Sequence, residues 1–296
     1  MVGLLRDRGL VDLAVDTPAG VRWRVGYALG GPGRAGLVDY LRHRGFTDTE
    51  MVAAGLAAPA SPDGGRGRGR WGSGVVDVLR HRLVVPLVDG GGVVGFTARR
   101  LVDDNPAVPK WPNTATTALH QKSSHLLGLA QQAERLAAGR GRVVLVEGAV
   151  DAIAVDLAGD IGVAAGGTRL TAAQAAKLRE AVAAAGGSLL VAYDADQAGR
   201  EATVRAAGLL AGVDAHVVRL PDGRDPADVL VDAGPRGLRR ALGVTVPLVD
   251  AVRDVAPLVT AAPADARARL VALVADRLEL PVDLVVGTLL DAAAPS

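Results

Sequence analysis

The sequence predicts an α/β protein of mixed α+β character, with a parallel sheet covered by helices on both faces in its second half. From Arg142 onward, short apolar runs at 143–146, 189–193 and 215–220 alternate with Ala-rich stretches of helical length. Acids follow each run: Glu147 and Asp151 after the first, Asp194 and Asp196 after the second, and Asp222, Asp225 and Asp228 after the third. Aromatic residues make up 3% of a chain that is 49% hydrophobic, so Val, Leu and Ala must fill the core. A parallel sheet gathers the carboxyl ends of its strands along one edge, and the acids are expected to converge there.

Taken in order, residues 1–141 read as a basic α+β subdomain. An extended piece is predicted at 21–27. A helix follows over 35–43, closed by Gly45, and another over 47–54, where Thr47 and Glu50 form a capping-box pattern. Residues 61–70 contain only Ser, Pro, Asp, Gly and Arg and read as a loop. Runs at 83–88 and 93–98 flank Asp89-Gly90-Gly91-Gly92, a hairpin signal because Gly supplies the positive φ of tight turns. Residues 142–232 carry the strand–helix alternation, including a helix over 171–185 that opens on Thr-Ala-Ala-Gln and stops at Gly186-Gly187. Residues 233–296 read as a helical segment, with helices over 263–278 and 281–293.

Composition narrows the function classes. The 296 residues include no cysteine, which excludes disulfides and thiolate metal sites and fits a reducing cytoplasm. No apolar run approaches the roughly 18 residues of a membrane span, and the first residues lack a signal-peptide layout, so a soluble protein with no membrane association is expected. The net charge of +1 divides unevenly: residues 1–142 carry +7 and residues 143–296 carry −6. A basic half beside an acidic half suits a protein that grips phosphates with one part and holds metal ions with the other. An ordinary uneven charge distribution fits the same numbers.

The acids are the candidate chemistry. Glu147 stands where a strand gives way to a helix, and Asp151 follows one helical turn later. Taken alone, Glu-Gly-x-x-Asp is weak and reads more readily as a helix-start acid stabilised by the dipole. Asp194-x-Asp196 in an extended chain puts both carboxylates on one side, although two surface acids in a turn would read the same. Gly199 then allows close backbone approach, and Arg200 is placed to neutralise phosphate or orient an acid. Carboxylates held together repel unless a divalent cation neutralises them, and Mg²⁺ favours such sites when phosphates complete its shell. The pattern points to metal-assisted phosphoryl chemistry.

The order Glu147-Gly148-x-x-Asp151, Gly166-Gly167-Thr168-x-Leu170-Thr171, Asp194-x-Asp196-x-Ala198-Gly199-Arg200 and Pro221-Asp222-Gly223-x-Asp225-Pro226 resembles the TOPRIM domain. More narrowly it resembles that of the bacterial replicative primases, the DnaG family. Earlier segments are similar to the same family: Leu5-Arg6-Asp7-Arg8-Gly9, the hairpin pattern from Arg80 to Arg99, Pro109-Lys110-Trp111-Pro112-Asn113, and Lys122 through Leu129. The resemblance covers about residues 4 to 240. It implies synthesis of short RNA primers on single-stranded DNA from ribonucleoside triphosphates, with Mg²⁺ or Mn²⁺. Glu147, Asp194, Asp196 and Asp225 then fall on metal positions and Asp151 on a supporting acid. Arg8, Arg99, Lys110, Asn113 and Lys122 fall on template- and nucleotide-contacting positions, with Lys122 and Arg200 near phosphate.

Two departures stand out. Ala227 occupies a place where the family commonly has a second Asp, which leaves Asp228 unassigned. The family's zinc-binding domain needs Cys and His ligands, whereas here there is no Cys and the five His are scattered, so no zinc is expected in this chain. Its C-terminal helicase-binding domain has no counterpart here either, and a separate zinc-binding protein and a replicative helicase are expected as partners at the replication fork. A TOPRIM nuclease or phosphodiesterase, or a weakly catalytic nucleic-acid-binding accessory protein, are the alternative readings.

Overall fold

Capping chemistry places the short helices of the first half. The structure, a computed structural model, describes residues 17–29, 36–60, 74–90, 92–100, 112–167, 170–210, 212–221, 223–248 and 271. The chain divides into two compact units, Met1–His125 and Leu126–Ser296. In the first unit, helix α1 (Pro18–Trp23) starts where the Thr17 hydroxyl accepts the Gly20 N–H at 2.9 Å, with Pro18 opening the helix. This corrects the extended reading of 21–27: the cap, the proline and a fully buried Trp23 favour a helix, and the strand β1 (Gly26–Ala28) starts only after Arg24 turns the chain at φ 47°.

Helices α2 (Gly36–His43) and α3 (Asp48–Ala53) form where the sequence puts them. Thr47 and Glu50 close the predicted capping box, with the Thr47 N–H donating to Glu50 at 2.7 Å. The N-terminal turn of α2 is held from far along the chain, because the Asp77 carboxylate accepts the Leu37 and Val38 N–H groups at 2.9 and 2.8 Å. Strands β2 (Ala57–Pro59) and β3 (Val75–Asp77) pair with each other. The predicted hairpin is β4 (Arg82–Asp89) with β5 (Gly92–Arg100), and Gly90 takes φ 56° in its turn. These strands form an antiparallel sheet in the order β1-β4-β5. The loop read over 61–70 lies outside the described residues.

In the second unit, after the short helix α4 (Ala133–Ala137), the order is β6 (Val143–Val146), α5 (Ala149–Leu157), β7 (Ile161–Ala164), α6 (Ala172–Ala184), β8 (Ser188–Val191), α7 (Gln197–Leu209), β9 (Asp214–Val218), α8 (Pro226–Ala241) and β10 (Thr245–Pro247). The strands lie in the order β10-β9-β8-β6-β7, with β9, β8, β6 and β7 mutually parallel. Strand side chains alternate between faces. Val143, Leu145, Leu189 and Val191 pack with Ala175, Leu178 and Val182 of α6 and Ala202 and Ala206 of α7. Helix α5 packs with α8, so both faces are covered. Among the described residues no helix is long and apolar enough to cross a membrane.

The region after Gly234 differs from an all-helical reading. Gly234 leaves the helical region (φ 66°, ψ 179°) ahead of Pro235, which lacks an N–H and pushes its predecessor out of the α conformation. The chain then makes β10, antiparallel to β9. Three residues are too few for a periodic signal, and Pro247 is tolerated because β10 is an edge strand. The helices read over 263–278 and 281–293 lie outside the described residues apart from Val271.

Candidate active site

The chain leaves β6 toward β7 on one side and β8 toward β9 on the other, so a crevice opens between the carboxyl ends of β6 and β8. The acids sit there. Glu147 is the first residue past β6, Gly148 caps α5, and Asp151 lies in the first turn of α5, buried. From the third strand comes Asp225, the N-cap of α8, whose carboxylate accepts the Asp228 N–H at 2.6 Å. Asp151 accepts the Ala227 N–H at 3.3 Å and so ties the start of α8 to α5. Ala227 thus contributes a backbone donor at the place where the family commonly has an acid.

Asp194 and Asp196 depart from the simple picture of two carboxylates side by side on a strand end. Strand β8 stops at Val191, and Asp196 caps the following helix by accepting the Gly199 N–H at 2.8 Å. The turn is tight because α7 runs against its own approach: a Cβ on Gly199 would lie 2.1 Å from the Asp194 carbonyl oxygen. Only glycine fits.

The carboxyls also feel one another's charge. Asp194 is pushed up to about 7 by burial first and then by the charges of Glu147, Asp225, Asp196 and Asp228. Glu147 is raised by burial and by Asp196 and Asp225, against the backbone N–H of Asp194 and the charge of Arg205. Asp151 is held well above the usual carboxylate range by burial, Asp225, Asp194 and Glu147. Buried Tyr193 is raised as well, by burial and Glu147. Asp228, which the sequence leaves without a role, adds charge at Asp194, and Arg205, within α7 and without a signal in the sequence, stands close enough to stabilise the Glu147 carboxylate.

These raised values have a consequence for stability. A carboxyl whose folded value lies above its unfolded one contributes stability that is fully present below the unfolded pKa, near 4, and is lost as pH rises through the folded value. In metal-free buffer, Asp194→Asn should therefore melt higher than the parent chain at pH 8. The gap corresponds to roughly 1–2 kcal/mol once the partial exposure of Asp194 is discounted, and it should narrow as pH falls below about 7 and close only near pH 4. Thermal melts in chelator across that range measure it, and a gap independent of pH would contradict the origin assigned to the repulsion.

The residues fit a divalent cation. They offer oxygen donors only, their mutual repulsion calls for a counter-charge, and Glu147 Oε1 is buried with no hydrogen-bond partner. As they stand, no three acidic or histidine side chains among the described residues close into a cage.

The other sequence-predicted residues are spread over the chain. Arg99 is half-buried on β5, Asn113 is half-buried in an isolated bridge with Thr97, and Lys122 is exposed in a turn. Arg200 falls in the first turn of α7. Arg8 and Lys110 lie outside the described residues.

Comparison with known proteins gives two family matches in sequence order: "DNA primase catalytic core, N-terminal domain" over residues 5–133 and "Toprim-like" over residues 144–230. The crystal structure of the RNA polymerase domain of Mycobacterium tuberculosis primase DnaG superposes with a TM-score of 0.70 at 30% identity, covering 95% of this chain and 89% of that one. The chain belongs to the DnaG primase family. A DnaG primase catalytic domain bound to ssDNA matches with a TM-score of 0.69 at 25% identity, over 97% of this chain and 85% of that one. The M. tuberculosis DNA primase is 34% identical over 249 residues, 81% of this chain. This DnaG-family chain spans only about 37% of the length of that curated relative.

Proposed function

We propose that this chain is the nucleotidyl-transfer core of a primase, adding ribonucleotides to a 3′-hydroxyl on a single-stranded DNA template. The observation that carries the reading is the approach of Glu147, Asp151, Asp194, Asp196 and Asp225, brought from the ends of three strands, with the carboxyls of Glu147, Asp151 and Asp194 raised by burial and by their neighbours' charges. Glu147, Asp194, Asp196 and Asp225 would hold Mg²⁺ or Mn²⁺. When bound, the metal supplies charge neutralisation at the triphosphate and acidifies the attacking hydroxyl. The rest falls to the chain itself. Asp151 fixes the start of α8, and with it Asp225, through the Ala227 N–H. The Asp194 backbone N–H orients Glu147. No separate protein base is required in this reading.

Residues 1–141 form the template- and nucleotide-gripping part in this reading, 142–232 the Toprim catalytic domain and 233–296 the helical tail. Arg8, Arg99, Lys110, Asn113 and Lys122 contact template and incoming nucleotide, and Arg200 and Lys122 meet phosphate. The substrates are single-stranded DNA and ribonucleoside triphosphates. A separate zinc-binding protein and a replicative helicase are partners, and the place of action is the cytoplasm, at the nucleoid and replication fork. The decisive experiment is template-dependent dinucleotide synthesis by the purified chain with Mg²⁺ or Mn²⁺. Cleavage of single-stranded DNA without nucleotide incorporation would move the reading to a Toprim phosphodiesterase.

Lys122 offers a narrower check. Lys122→Ala should weaken binding of single-stranded DNA or nucleotide with little sequence dependence, and should flatten the slope of log affinity against log salt by about 0.7, one single-strand phosphate contact. Binding titrations at several salt concentrations measure this. An unchanged slope and affinity would make Lys122 a surface residue only.

A further inference from the structure

The amino-terminal edge of the parallel sheet, opposite the carboxylates, carries arginines that the chemistry above does not use. Gly141, just ahead of β6, lies against the residue pair ahead of β7, for a Cβ on it would stand 3.0 Å from the Gly159 carbonyl oxygen. A Cβ on Gly159 would in turn stand 2.8 Å from Arg239 Nη1, so the Arg239 guanidinium lies over this corner. Arg140 adjoins Gly141, while Arg236 and Arg240 flank Arg239 on α8, and all four arginines are exposed. The end of α8 is tied to the same corner, where Arg142 donates to the Leu242 carbonyl at 3.3 Å.

The acids of this corner are already held. Asp156 pairs with Arg135, and Asp160 pairs with Arg142 at 2.6 Å. Farther up α8, Asp232 pairs with Arg224 at 2.5 Å. Among the described residues no carboxylate pairs with Arg140, Arg236, Arg239 or Arg240. General basicity does not explain the cluster, since residues 143–296 carry −6. Attraction to the C-terminal end of α8 would favour Arg239 and Arg240. It accounts neither for Arg140, which is not on that helix, nor for Arg236, which precedes its last turn.

We propose that this corner binds the sugar-phosphate backbone of the single-stranded template away from the metal centre. The ligand rests on the primer-synthesis reading. Exposed guanidinium groups without counter-ions suit phosphate oxygens, and release of counterions makes such contacts favourable without regard to sequence. Arg142 and Glu147 lie five residues apart along an extended segment, about 16 Å. A template must be long enough to span that distance to touch both edges.

The test uses the full chain and an oligothymidylate of about 30 nucleotides, long enough to span both edges. Anisotropy titrations over a range of salt compare the parent with R140Q/R236Q/R240Q, which leaves Arg239 on Gly159 in place, and with the matching lysine triple. The glutamine triple is expected to lose about tenfold or more in affinity and to flatten the salt slope by about 2, three single-strand phosphate contacts. The lysine triple should keep the parent slope, because backbone phosphates read charge. A glutamine triple with parental affinity and slope, or a lysine triple that loses as much as the glutamine one, overturns the surface while leaving primer synthesis untouched. A parent chain that neither binds the oligonucleotide nor makes template-dependent product defeats the primase reading, and the surface falls with it.

Discussion

Asp194→Asn and Glu147→Gln should each lower template-directed nucleotide incorporation by about 10²-fold or more while leaving the fold intact. Each change keeps the shape and an acceptor oxygen and removes one negative charge. Glu147 receives the Asp194 backbone N–H, an interaction that a glutamine carbonyl can still accept, so the local geometry survives. What is lost is charge that would draw a divalent cation to the crevice between β6 and β8. The expected signature is a split between two measurements. Single-turnover incorporation collapses, whereas melting in chelator is unchanged or higher, because the substitution relieves repulsion among Glu147, Asp194, Asp196 and Asp225. Wild-type incorporation in both variants would remove the proposed centre. A collapse of incorporation accompanied by a large fall in melting temperature would mean that the acids hold the fold rather than a metal.

Much of this site was legible in the sequence because its determinants are local. Apolar runs of strand length, followed at once by acids, fix both the strands and the edge where the acids meet. Thr47 with Glu50 and Thr171 with Gln174 mark helix starts through hydrogen bonds that span only three residues. Gly199 was readable as a close approach, although what it approaches, the Asp194 carbonyl, is a property of the folded turn. The parts that escaped depend on distant partners or on very short elements. Asp77 caps α2 from some forty positions away, Arg205 acts on Glu147 from a helix some sixty positions farther along the chain, and β10 has three residues with no period to read. The helix at Pro18–Trp23 escaped for a different reason. Its β-branched and aromatic residues favour a strand, and the Thr17 cap with Pro18 overrides that preference.

The purified chain should extend a preannealed RNA primer about tenfold or more faster than it starts new chains on the same template, because the two reactions differ in how many free molecules they must immobilise. Extension binds one incoming nucleotide beside a 3′-hydroxyl that the annealed primer already positions. Initiation must hold two free nucleotides at once, and each loses translational and rotational freedom without a duplex to compensate. In the family that this chain belongs to, a zinc-binding domain is expected to help hold the first nucleotides, and a chain with no cysteine can supply no thiolate zinc site. Extension needs only the acids between β6 and β8 and a hold on the template. Adding a separate zinc-binding domain protein should therefore raise dinucleotide synthesis and leave primer extension nearly unchanged. Gel-resolved product yields from the two reactions, with and without that protein, make the comparison. Efficient and site-selective initiation by the chain alone would contradict it, and would assign template selection to the chain's own basic segments, with Arg66, Arg68 and Arg70 the first to substitute.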